Sequence, residues 1–117
     1  MAGACTYLRR VLEKMVFYKL QDPSVNEKEK VKAVHFDEKI KLVRHLFDED
    51  VQDTLSNSYG LLSKGIHELN DEQIKEFYSY ISEIINIQLE SEKEKILRQK
   101  KIEEIKNKIN NEALKNK

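Results

Sequence analysis

The chain has 117 residues, with 21 basic and 21 acidic side chains, three glycines, one proline and no tryptophan. Its length suits one domain, and so few turn residues exclude an all-β fold. Charged residues make up 36% of the chain at a formal net charge of zero, so there is no global positive field to draw in nucleic acid.

A single cysteine, Cys5, excludes an internal disulfide and reads as a small buried apolar residue. No apolar run approaches the length of a membrane span, and no signal-peptide pattern is present. A soluble cytoplasmic protein is therefore the expectation. The sequence enters a helical pattern almost at its first residue, which suits either a fragment of a larger protein or a chain that starts on its first helix.

That first helix is expected from about Ala4 to Leu20. Leu8, Val11, Leu12, Met15, Val16 and Leu20 recur at steps of three and four and make one apolar face, with Arg9, Arg10, Glu13 and Lys14 largely opposite. Asp22-Pro23-Ser24 ends it, because proline disfavours helix in the residue before it. Residues 25–35 are charged and weakly patterned and read as a loop with at most a short helical turn.

A second helix is expected from Phe36 to Phe47, with Phe36, Ile40, Val43, Leu46 and Phe47 on one face. The acids Asp48, Glu49 and Asp50 follow, where they suit the positive end of the next helix. This third helix runs from about Val51 to Ser63 through Val51, Leu55, Tyr59 and Leu62.

The fourth helix has the clearest start. Asn70 is the N-cap, Gln73 completes a capping box, and Leu69 is placed to pack on Ile74 as a hydrophobic staple. Ile74, Phe77, Tyr78, Ile81, Ile84, Ile85 and Leu89 form a broad apolar face, while Tyr80 points outward. From Glu90 the composition turns heavily charged, yet Ile102, Ile105 and Ile109 keep a narrow stripe. A helix continuous to about Asn110 would be ~60 Å long at ~1.5 Å per residue. Such a helix overshoots a domain of this size, so its end protrudes or finds a partner. Two heptads of stripe fall short of a coiled-coil signature.

Candidate chemistry is sparse. His67, in a glycine-containing corner, is either a general acid or base near neutral pH or a cap on the carbonyls ending the third helix. Gly65 favours the second reading if it lies just beyond that helix in a left-handed conformation. Lys64 either complements the helix dipole or contacts phosphate. Ser63 has no base beside it in sequence, as a nucleophile requires. Arg9 and Arg10 form a small basic patch that is either a solvated face or a phosphate contact. Arg44-His45 is similar, and His35 sits at a helix entrance. With histidines scattered at 35, 45 and 67 and no ligand spacing, no metal is expected. No phosphate loop, dinucleotide fingerprint or nucleophile elbow appears, so no cofactor is expected.

Three segments carry a family resemblance. GACTYLRRVLEKM resembles the opening helix of HEPN-like domains, HFDEKIKLVRHLFDEDV their second helix, and YGLLSKGIHEL the segment with the characteristic histidine. The resemblance covers roughly residues 3–90. It implies a helical bundle that often dimerises, commonly in prokaryotic toxin–antitoxin and antiviral defence proteins. In active members an arginine and a histidine separated by four to six residues cleave RNA. His67 would match the histidine, but position 62, five residues earlier, is Leu62. None of Arg9, Arg10, Arg44 and Arg98 has the spacing, and Lys64 lacks the planar fork of arginine. The resemblance thus argues for the fold and against the nuclease.

The expected structure is an all-α antiparallel bundle of about four helices with a long, charged C-terminal helix. Residues 1–90 make the bundle and 91–117 an extension or frayed tail. The expected core is Leu8, Leu12, Met15, Ile40, Val43, Leu55, Leu62, Ile74, Phe77 and Ile81. The leading functional reading is a non-catalytic HEPN-like module for oligomerisation or regulation, the C-terminal part of a larger defence-related protein. A homodimer or a partner protein is expected. The alternatives are an RNA-binding or RNA-cleaving domain using His67 with Lys64, Arg9 or Arg10, and an adaptor that docks a partner through residues 91–117.

Overall fold

A computed structural model describes the backbone of residues 2–65 and 70–116 and the side chains of residues 3–63 and 70–116. These residues form an all-helical bundle, with no strand among them. The elements are α1 (Ala2–Lys19), α2 (Glu27–Lys32), α3 (Phe36–Val43), α4 (Gln52–Gly65) and α5 (Asp71–Lys115). Two 3₁₀ turns, Arg44–Leu46 and Glu49–Val51, lie between α3 and α4.

The apolar stripes read from the sequence explain how the helices meet. Leu8, Leu12, Met15 and Val16 of α1 are buried together with Leu55 and Leu62 of α4 and Ile74, Ile81 and Ile85 of α5. Lys19, at the end of α1, reaches Glu92 of α5, while Glu13 meets Tyr59 of α4. Lys19 also lies over Phe47, just before α4, and Asp48 beside it meets Gln88 of α5, so α1 and α5 run the same way and α4 runs against both. The amphipathic α3 adds Ile40 and Val43 to this core.

Two elements differ from the sequence reading. The charged segment 25–35 holds a true helix, α2, because the Asn26 side chain accepts from the backbone N–H of Lys28 (2.9 Å) and Glu29 (3.2 Å). It is anchored by Val25 and Ala33, both buried. The second expected helix stops at Val43 and tightens into 3₁₀ geometry, which brings Phe47 into the core.

Of the expected core, only Phe77 is half-buried rather than buried. Cys5 is buried, as expected. Gly65 is the last residue of α4, not a residue beyond it. The capping box at Asn70 is formed in both directions, Gln73 N to Asn70 Oδ1 at 2.9 Å and Asn70 N to Gln73 Oε1 at 3.1 Å. The proposed staple partner Leu69 lies outside the described residues.

The apolar face of α5 does not include Leu89, which is 42% exposed; its neighbour Gln88 is fully buried instead. Gln88 stands seven residues beyond Ile81 and fourteen beyond Ile74, on the line facing the body. Its Oε1 accepts the backbone N–H of Asp48 at 3.2 Å, while its Nε2 has no hydrogen-bond partner.

A polar collar surrounds this point. Lys95 pairs with Asp48 and Lys19 pairs with Glu92, while the Lys19 ammonium also sits 4.9 Å from the centre of the Phe47 ring. Helix α5 crosses residue 90 without a break, and contacts with the body continue to Lys95. From 96 to 116 every side chain is exposed except the half-buried Ile102.

The collar has a definite pH signature. The hydrogen bond from Lys95, then one from Ser91, holds the Asp48 carboxyl below its ordinary value of 3.8 despite partial desolvation. The bond to Asp48 holds Lys95 above 10.5. The Asp48 contribution is therefore complete above pH ~4 and is lost as pH falls through its lowered folded value. The Lys95 contribution is complete below its ordinary value and is lost as pH rises through the raised one. Asp48→Asn is expected to lower the thermal midpoint near neutral pH and to flatten its fall on acidification, as followed by helix ellipticity. Separately, Leu55→Ala, at a fully buried position, is expected to cost about 2–5 kcal/mol in urea unfolding.

Candidate functional site

Arg9 and Arg10 are neighbours on α1 and so point about 100° apart around the helix. Arg9 is half-buried, with Nε 3.7 Å from Glu13 Oε1 and no hydrogen-bond partner at that atom. Glu13 Oε1 in turn accepts from the Tyr59 hydroxyl at 3.3 Å. Tyr59 stacks on Phe36, with ring centres 3.8 Å apart and planes inclined by 20°. Arg9 thus balances a carboxylate held between α1 and α4.

Arg10 is exposed and borders an open groove of about 440 Å³. Val16, Phe17, Leu20 and Phe36 make its apolar floor, and Arg10, Lys14 and Lys39 carry positive charge along its rim. Glu13 lines it as well, and no Ser, Thr, Cys or His is among its lining residues. Among the described residues no group of His, Cys, Asp or Glu is arranged to hold a metal ion.

His67 lies outside the described residues, and the side chain of Lys64, within α4, is not among those described. Of the remaining histidines, His35 precedes α3 at the N-cap position without a side-chain cap. His45 Nε2 and Ser24 Oγ are 2.8 Å apart, a contact the sequence did not suggest across 21 residues. With Asp22 beside them the group has the composition of a hydrolytic triad, but its wiring is different. Asp22 Oδ1 accepts the backbone N–H of Ser24 at 2.9 Å, and this bond is the main reason its carboxyl lies below the ordinary 3.8. In a triad the carboxylate must orient the histidine. Here it closes the turn after α1, and His45 ties that turn to the end of α3. Arg44, the other member of its pair, donates to Gln52 at 3.0 Å and pairs with Asp53.

Burial, followed by the neighbouring Glu13 charge, raises Tyr59 above the ordinary phenol value of 10.0. The neutral phenol is thus favoured by folding, so its contribution is complete below that value and lost as pH rises through the folded one. In a tyrosinate absorbance titration, one of the five tyrosines is expected to ionise later than the rest. Tyr59→Phe is expected to remove that late step, keep the stacked ring and cost about 0.5–1.5 kcal/mol.

No protein-family model, no curated protein and no solved structure matches this chain.

Proposed function

We propose that this chain is a non-catalytic helical module whose work is association, performed through the part of α5 that extends past the body. One observation carries the reading. Beyond Lys95 the helix continues to Lys115 with every described side chain but the half-buried Ile102 exposed, among them Ile96, Leu97, Ile105, Ile109 and Leu114. Apolar side chains held in water along a pre-formed helix are a standing source of binding free energy, ~25 cal/mol for each Å² covered.

The composition of this segment supports the same reading. Residues 96–117 carry seven basic and three acidic side chains, while residues 1–95 carry fourteen and eighteen. The zero net charge therefore conceals an acidic body and a basic extension of equal magnitude, four charges each. A HEPN-like, defence-related setting as the regulatory end of a larger protein belongs to this proposal; its support is the sequence resemblance over residues 3–90.

The test is truncation after Lys95, which keeps the collar intact. The full chain is expected to show a melting temperature that rises with concentration, as association requires. The truncated chain is expected to melt cooperatively at a concentration-independent temperature and to sediment as a monomer. A full chain that is monomeric at every concentration, and melts like the truncated one, rejects the reading.

A further inference from the structure

The exposed face of α5 repeats itself with its flanking charge reversed. Ile84 and Ile87 lie on this face within the body, and Ile102 and Ile105 lie on it in the extension. Ile84 and Ile102, like Ile87 and Ile105, are separated by eighteen residues, which is five whole turns at 3.6 residues per turn, so the four form one strip of two adjacent lines along the helix. The neighbouring edge repeats too. Glu83 and Glu90 flank the first strip, and five turns on the same edge carries Lys101 and Lys108. All four charged side chains are exposed.

The geometry points to a second copy of this chain as the occupant of that face, with the two α5 helices antiparallel about a dyad at the bond between residues 94 and 95. This rests on the association reading and names its partner. In this register Tyr80 faces Ile109 of the other copy, Ile84 faces Ile105 and Ile87 faces Ile102, each pair placed symmetrically about the dyad. Turning one helix end for end brings the same edges alongside each other. Glu76 then meets Lys115, Glu83 meets Lys108 and Glu90 meets Lys101, centred one residue further on. The dyad makes every contact twice.

The body offers a seat for the incoming helix. An open groove of about 270 Å³ runs beside the first strip, with Leu61 of α4 and Phe77, Tyr80 and Ile84 of α5 along it. The extension's own pairs, Lys108 with Glu104 at 3.3 Å and Lys115 with Glu112 at 3.5 Å, are exposed and exchange readily. A parallel pairing staggered by five turns would also bring strip to strip, but it leaves one strip of each end copy bare and grows without closing.

The test is a charge exchange in the full chain, read by sedimentation velocity with helix ellipticity as the folding control. One chain carries Glu83→Lys and Glu90→Lys; the other carries Lys101→Glu and Lys108→Glu. Each alone is expected to lose self-association by on the order of tenfold or more, because four contacts per dimer become like-charged. Mixed together they are expected to form a heterodimer, and all four substitutions in one chain are expected to restore the homodimer. For orientation, Ile87→Cys mixed with Ile102→Cys is expected to cross-link under mild oxidation. Ile102→Cys alone is expected not to, since its two copies would lie ~22 Å apart. Cys5 is buried and leaves the introduced thiols to report alone.

If the full chain associates but ignores the charge exchange, or if Ile102→Cys links to itself, the antiparallel dimer is overturned while the association reading stands. If the full chain never associates, both fall.

Discussion

Helix α5 is longer than anything available to cover it. At ~1.5 Å per residue its 45 residues span ~67 Å, whereas the 18 residues of α1 and 14 of α4 span only ~27 and ~21 Å. The dimensions of the molecule, 70 × 34 × 22 Å, follow from this mismatch. No proline or glycine interrupts the chain after Gly65, so nothing in the backbone stops the helix where the body ends. The body is what α1, α3, α4 and the first part of α5 bury together, and the remainder of α5 is surplus to it.

The transition between covered and uncovered helix is polar. Gln88 continues the line of Ile74 and Ile81, but the group it meets is the backbone N–H of Asp48, which an apolar side chain would leave unpaired. Its amide nitrogen, buried without a partner, costs about 1–3 kcal/mol. In exchange the register of α5 is set. A slip by one turn would lose the Asp48 contact, the Lys95 pair and the Lys19–Glu92 pair together. The collar thus specifies where α5 sits more than it stabilises the body, the role best attested for buried polar groups.

The fold was legible wherever the signal was local or periodic. The Asn70–Gln73 box involves residues three apart, and the α1 stripe repeats over four turns, so both could be read without knowing any partner. The features missed depend on distant contacts. Val25 and Ala33 stand in a charged stretch with Val31 and Val34, and only the tertiary packing decides that the first two are buried and the other two exposed. Leu89 reads as part of the apolar face because it is apolar, but the helical phase set by Ile74 and Ile81 selects Gln88. The candidate site was less legible still. Arg9 and Arg10 read as one patch, yet the first is drawn to Glu13 and Tyr59 while the second borders an open groove. The Ser24–His45 contact spans two helices, α2 and α3, and no motif spacing anticipates it. His67, the residue the sequence singled out most sharply, lies outside the described residues.

The burial of Cys5 has a practical corollary. Its sulfur lies beneath α1, inside the cluster that includes Leu8 and Leu12, and the chain has no other cysteine. An alkylating reagent can reach it only when that cluster loosens, so the rate of its modification is a clock for breathing of the body. Events confined to the far end of α5 leave the clock unchanged, and any that travel back through the corner at Gln88 alter its pace.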